Sequence, residues 1–429
     1  MTVVRAIVLA ILVLVCGIHA APSVHSAKRW ENSHSHWVDI WTSMPQLTEP
    51  ANLPPAPFNE TGLVFFNSTI RQTVHLSLEA PQIRIRISNA FGVNDLPVTA
   101  VTVALPLNGT AGTSDIQPGT LRDVTFSGSG NFTIPNGALA VSDPINLPVQ
   151  AQSMLTITIY LANGQQSNYI TSHPGSRTTS WFSSGDYTAS ANLTDDSTQS
   201  AAHWYFISAV EAWIPKASRA FAIVGDSITD GRGSTTDANN RWPDLLLAKM
   251  QRRPSKSNIA VLNQAAGGNR VLYDGLGPNA LGRIDRDVLS HSGVKYSMIF
   301  EGVNDIGVAS ASPEAQKVVG DRLIDAYQQI TTRVHALGIP IFAATITPFS
   351  GNASIQPYSD PEREKTRQRV NAWIRNNGDF DAVIDFDAIL RDPNNGSMLN
   401  PLYNSGDYLH PNPAGYQKLA DEFSLDVFA

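Results

Sequence analysis

The period of the hydrophobic pattern changes once along this chain, at Ile214-Pro215-Lys216-Ala217-Ser218. Residues 30 to 215 hold short runs in which polar and apolar residues alternate. Gln82-Ile83-Arg84-Ile85-Arg86-Ile87-Ser88 places an isoleucine at every second position. Val98-Thr99-Ala100-Val101-Thr102-Val103-Ala104 and Leu155-Thr156-Ile157-Thr158-Ile159-Tyr160 follow the same rule. A period of two buries one face of a strand and leaves the other in water. Turn signals at Asn108-Gly109, Pro118-Gly119, Asn136-Gly137 and Pro174-Gly175 separate the runs. Short strands spaced in this way predict an all-β, jelly-roll-like sandwich without helices.

Beyond the boundary, apolar runs alternate with helical spacing. The runs at 220–224, 259–262, 296–300, 340–345 and 382–385 read as strands. Leu323, Tyr327, Ile330, Val334 and Leu337 recur at helical spacing, and Gly338 and Pro340 close that helix. Asp360-Pro361-Glu362 opens a second helix with a capping residue, a first-turn proline and an acidic charge. Val370, Trp373 and Ile374 mark its buried face. Asn412-Pro413 opens a last helix with Tyr416, Leu419, Ala420 and Phe423 facing inward. Five strands alternating with helices predict a three-layer α/β domain around a parallel sheet.

The first of these strands, Phe221-Ala222-Ile223-Val224, ends abruptly at Gly225-Asp226-Ser227. Parallel sheets bind ligands beyond the carboxyl ends of their strands, so Ser227 is a candidate nucleophile. A serine hydroxyl needs a positioned base. Asp407-Tyr408-Leu409-His410 offers one, because a short turn brings the carboxylate to one ring nitrogen and leaves the other free for Ser227.

The chain resembles the SGNH, or GDSL-type, hydrolases on four blocks in that family's order. They are Gly225-Asp226-Ser227-Ile228, Asn263-Gln264-Ala265-Ala266-Gly267-Gly268-Asn269, Gly302-Val303-Asn304-Asp305 and Asp407-Tyr408-Leu409-His410. Ile228 replaces the leucine of the family's name without touching the chemistry. The resemblance covers 218–429 and implies a flavodoxin-like α/β/α fold. It also implies a catalytic Ser227, Asp407 and His410, and an oxyanion hole formed by the Ser227 and Gly268 N–H groups and the Asn304 side chain. Gly267 competes with Gly268 for that role. Asp226 and Asp305 would oppose an oxyanion and are expected to hold loop backbone instead. Trp242 reads equally as pocket lining or as core. Neither a cofactor nor a metal site is expected, and His25, His34 and His36 are spaced too loosely to suggest one.

Met1 to Arg5, the apolar run Ala6 to Ile18 and Ile18-His19-Ala20 read as a secretory signal over residues 1–20. Lys28-Arg29 is a candidate propeptide site. Cys16, the one cysteine, falls in the signal, so no disulfide is expected. Seven sequons, at Asn59, Asn67, Asn108, Asn131, Asn192, Asn352 and Asn395, fit a secreted glycoprotein. Apolar residues make up 42% and charged residues 16%, enough for sizeable cores, and a net charge of −7 disfavours nucleic-acid partners. The expected division is a signal at 1–20, a β-sandwich at 30–215 and a hydrolase domain at 218–429. The expected activity is secreted hydrolysis of small acyl esters, O-acetyl groups on carbohydrate first. A lipase or lysophospholipase is the alternative, and an inactive glycan-binding protein the remaining one.

Overall fold

The alternating isoleucines of the first half sit in the strand Ile83–Ser88, with Ile83, Ile85 and Ile87 fully buried and Arg84 and Arg86 half-exposed between them. In the computed structural model, the described residues are 34–377 and 379–428. The signal, Cys16, His25 and Lys28-Arg29 lie outside them. The first half is built of antiparallel sheets. One runs in the order Ser35–Thr42, Ile207–Pro215, Ile83–Ser88, Leu139–Val141. Another is centred on a long pair, Leu63–His75 with Met154–Gln165, in register from Met154 opposite His75 to Gln165 opposite Val64. Among the described residues of this half, the only helical segments are 3₁₀ turns. The run 98–104, expected as one strand, is two. Thr99 donates its N–H to Tyr160 O (3.0 Å) and accepts from Ala162 N through its hydroxyl (2.9 Å). The chain therefore leaves the Phe132–Ile134 pairing and joins Met154–Gln165 instead.

The second half is a parallel sheet of five strands: β1 (Arg219–Gly225), β2 (Ile259–Ala265), β3 (Val294–Phe300), β4 (Ile341–Ala344) and β5 (Ala382–Ile384). Their order is β2-β1-β3-β4-β5. Helices α1 (Ser227–Asp230), α2 (Trp242–Gln251), α3 (Val303–Val308), α4 (Pro313–His335), α5 (Pro361–Asn377) and α6 (Pro413–Glu422) alternate with the strands. α4 buries Leu323, Tyr327, Ile330 and Val334, whereas Leu337 lies past its end and is exposed. The Asp360 carboxylate accepts from Glu362 N (2.8 Å), and the Asn412 side chain accepts from Gly415 N (3.0 Å), so both expected helix starts carry their caps. The chain order reverses at β1, whose neighbours are β2 and β3. Open parallel sheets leave a crevice at such a reversal.

Only residues 216–218 separate Ile207–Pro215, the last strand of the first half, from β1. One hydrophobic core continues from Val38, Ile40 and Ile83 into Ala220, Leu262 and Val294. At this junction Gly293 adopts φ +78°, and a Cβ there would lie 2.8 Å from the Val38 methyls, so only glycine lets the strands approach. Asp39, fully buried, accepts from His291 Nδ1 and Ser292 N, both at 2.8 Å, and sits 3.7 Å from Arg86. Asp39→Ala would leave Arg86 without this carboxylate and two donors without an acceptor. Its expected cost is about 3 kcal/mol, read as a lower urea midpoint. An unshifted midpoint would show that this junction contributes nothing to stability.

Candidate active site

The buried run of β1 delivers the chain to the sheet's carboxyl edge, where Asp226 ends the strand and caps α1. Its carboxylate accepts from Ile228 N (2.9 Å), and Gly231, at φ +100°, stops the helix after four residues. Ser227 is the first residue of α1, so its N–H lacks an intrahelical acceptor. Its hydroxyl lies 2.7 Å from His410 Nε2.

His410 arrives from the other end of the sequence, on the turn before α6. The Asp407 carboxylate closes this turn on itself. One oxygen accepts from His410 N (2.8 Å) and Leu409 N (3.0 Å), and the other lies 2.6 Å from His410 Nδ1. Burial opposes ionisation of Asp407, but the His410 ring and these backbone donors outweigh it and hold the carboxyl well below the usual carboxylate range.

Gly267, Gly268 and Asn304 line the same pocket as Ser227 and His410, a cavity of about 410 Å³. Gly268 takes φ +71°, and a Cβ there would lie 2.4 Å from Leu276. Asn304 stands in the first turn of α3. Its Nδ2 donates to Asn269 O (2.8 Å) and its Oδ1 accepts from the Tyr358 hydroxyl (3.2 Å), which leaves the amide one further N–H to donate. The Tyr358 ring has room because residue 307 is glycine, where a Cβ would sit 2.2 Å from the ring. On the same loop, Gln356 donates to Asp407 O (3.0 Å) and accepts from Tyr358 N (3.0 Å). One loop after β4 thus holds both the Asp407 turn and the Asn304 amide.

Asp305 accepts from Val271 N (2.8 Å) and Leu272 N (3.0 Å), so it and Asp226 hold loop backbone. Burial pushes Asp226 up to about 7 and Asp305 up to about 6. Burial likewise pushes Glu301 up to about 8, against the nearby Arg283 guanidinium. These raised values lessen the negative charge that would face an oxyanion. Trp242 is fully buried, stacks on Phe423 and donates to Thr229 Oγ1 (3.2 Å), which places it in the core and not in the pocket. Among the described residues no group of three His, Cys, Asp or Glu side chains converges as a metal site would require.

Sequence reasoning missed Tyr358 and the whole opposite wall of the pocket. That wall comes from the β half and includes Gln46, Glu49, Asn52, Arg177 and His203. Behind it, His173 Nδ1 meets Met44 O (3.0 Å) and its Nε2 meets Asp230 Oδ1 (2.9 Å), which ties the β half to α1. No local pattern marks the β-half residues, because they lie 24 to 181 positions before Ser227.

Residues 223–418 match the GDSL-like lipase/acylhydrolase family. No curated protein matches the chain. Among solved structures, the chain is similar to an acetylxylan esterase mutant from Geobacillus stearothermophilus (21% identity, TM-score 0.37, covering 49% of this chain and 94% of that one). It is also similar to a carbohydrate acetylesterase family member from Sinorhizobium meliloti (14%, TM-score 0.36, 47% and 94%). A third is a GDSL-like lipase from Bacteroides thetaiotaomicron (17%, TM-score 0.35, 49% and 88%).

The buried carboxyls have a measurable consequence. The folded protein keeps protons on Asp226, Asp305 and Glu301 at pH values where the unfolded chain has released them. Their contribution therefore lowers stability as pH rises from about 4 to about 8. Asp226→Asn stays neutral throughout and still accepts from Ile228 N. Its urea midpoint is expected to fall less than the wild-type midpoint between about pH 5 and pH 8. Parallel curves would show that Asp226 titrates alike in both states.

Proposed function

Residues 223–418 are a GDSL-like lipase/acylhydrolase domain and the protein is a carboxylic ester hydrolase; from that premise we propose a secreted serine esterase that removes small acyl groups, chiefly O-acetyl, from carbohydrate. The observation that carries this reading is the unbroken hydrogen-bond chain from Asp407 through His410 to Ser227. In it, Ser227 Oγ attacks the ester carbonyl carbon while His410 Nε2 takes its proton. The N–H groups of Ser227 and Gly268 and the Asn304 amide meet the resulting oxyanion. Collapse breaks the carbon–oxygen bond to the alcohol, which leaves with the proton from His410. Water then attacks the acyl-serine and gives a proton to His410. A second collapse releases the carboxylic acid and returns the proton to Ser227. Asp407 orients the ring and stabilises the imidazolium without accepting its proton.

Secretion rests on the composition of residues 1–20, and glycosylation on the sequons, whose seven asparagines are all exposed. The polar wall facing Ser227 favours a hydroxyl-rich alcohol. One observation favours the lipase or lysophospholipase alternative. It is a separate, largely apolar cleft of about 480 Å³ lined by Leu272, Tyr273, Val308 and Val318. Initial rates on acetylated xylan, acetylated pectin, short nitrophenyl esters and a long-chain triglyceride decide between them. Preference for the triglyceride would overturn the carbohydrate reading. Failure to react with an organophosphonate probe would overturn the enzymatic one and leave a glycan-binding protein.

On one soluble acetate ester, Ser227→Ala and His410→Ala are each expected to lose at least about 1000-fold in kcat, and the double variant little more, because the two act as a unit. Asp407→Asn is expected to be comparable or milder. Wild-type turnover by His410→Ala would assign the base elsewhere. Tyr358→Phe leaves the Asn304 donor in place but frees the amide to rotate. Its kcat is expected to fall about tenfold with KM near wild type, and an unchanged kcat would mean that Asn269 alone orients the amide.

A further inference from the structure

Both halves line the pocket. The α/β side carries Ser227, Asp230, Arg232, Asn304, Tyr358 and His410, and the β half presents polar side chains around Pro174 and Gly175. Arg177 is half-buried at φ +50°, a left-handed conformation that costs a non-glycine residue free energy and persists only where its surroundings hold it. Its surroundings do so. Its carbonyl accepts from Asp237 N (2.9 Å), and the Asp237 carboxylate in turn takes Thr179 N and Thr179 Oγ1, both at 2.7 Å. The loop after the nucleophile therefore clamps Arg177 in place.

Among the described residues Arg177 forms no ion pair, and its buried Nε has no hydrogen-bond partner. Glu49 on the same wall accepts from Gln46 Nε2 (2.6 Å) and Asn52 Nδ2 (2.9 Å), so neutral amides hold it in place. His203 Nδ1 donates to Pro174 O (2.6 Å), which leaves Nε2 as the ring's acceptor. Burial, joined by the nearby Arg177 guanidinium, pushes His203 below its ordinary value. A charged donor and two acceptors, none neutralised by another, line one side of a pocket that holds a nucleophile on the other. An apolar acyl chain would leave the Arg177 guanidinium and His203 Nε2 desolvated and unpaired, and would bury the Glu49 charge with only its two amide donors. A hydroxyl both donates and accepts, and so satisfies all three.

We propose that Arg177, Glu49 and His203 form a sugar subsite, in which the β half binds the free hydroxyls of the glycosyl residue whose acetyl ester faces Ser227. This rests on the carbohydrate reading above. The β half is then a wall of the active site and not a separate binding module.

The test compares kcat/KM on acetylated xylan, mannan and pectin oligosaccharides with kcat/KM on 4-nitrophenyl acetate. It uses the full chain, Arg177→Gly and Glu49→Gln. Glycine adopts the positive φ freely, so the first variant keeps the loop, and the second changes a single acceptor. The expected result is a fall of roughly tenfold to a hundredfold in the ratio of sugar acetate to nitrophenyl acetate activity, carried mainly by KM. If the wild type cleaves sugar acetates and the ratio is unchanged in both variants, the subsite is overturned and the carbohydrate reading stands. If the wild type cleaves nitrophenyl acetate but none of the oligosaccharide esters, the carbohydrate reading falls and the subsite falls with it.

Discussion

The hydrogen bond between Ser227 Oγ and His410 Nε2 joins residues 183 positions apart, and much of the α/β half can be understood as what holds it. A bond of 2.7 Å tolerates little drift at either end. At one end, β1 runs between β2 and β3 in parallel register, so the position of Ser227 is fixed by ladders on both sides. At the other, Asn412 caps α6, and the Tyr416 and Phe423 side chains that anchor this helix are fully buried. Between them the Asp407 carboxylate holds the turn through the Leu409 and His410 N–H groups and the imidazole through Nδ1. Each of these devices is ordinary, and together they hold Ser227, His410 and Asp407 in one hydrogen-bonded arrangement.

A second layer of constraint lies behind the reacting atoms. Tyr358 and Gln356 reach from one loop to the Asn304 amide and to the Asp407 carbonyl, so the two sides of the pocket are referenced to a single segment. Gly307 belongs to this device, since any side chain there would evict the tyrosine ring. Beneath the pocket Asp226, Asp305 and Glu301 crowd together near Arg283. Burial makes full ionisation costly, and the raised values of these groups are how the fold tolerates three acids in one place. The stability they cost is exchanged for two loops pinned by carboxylate-to-backbone bonds.

The β half is bound to this machinery through polar contacts as well as through the shared core. His173 bridges Met44 O and Asp230 on α1, Asp39 takes His291 and Ser292 N after β2, and the Ser77 hydroxyl lies 3.1 Å from both the N–H and the carbonyl of Val261 in β2. An interface of this type resembles the interior of one domain more than a hinge between two. It explains why the pocket wall opposite Ser227 carries residues from the first 203 positions of the chain.

The sequence by itself determined whatever is local. Period-two alternation placed Ile83, Ile85 and Ile87 on the buried face of a strand, helical spacing placed Leu323 to Val334, and capping chemistry placed the starts of α5 and α6. A strand end and an Asp-x-x-His spacing pointed to Ser227, Asp407 and His410, because a backbone that must turn there, or a carboxylate that must reach a ring three residues away, leaves its mark within a few positions; Gly268 and Asn304 were implied only by the resemblance of their blocks. Local periodicity failed at Thr99 and at Leu337, where pairing partners and the end of a helix were decided elsewhere. Only the tertiary structure decided that Trp242 is core, that Tyr358 holds Asn304, and that Arg177, Glu49 and His203 line the same pocket as Ser227. Those residues meet the site across long stretches of chain. Their roles depend on how two sheets pack, and no short-range pattern encodes that.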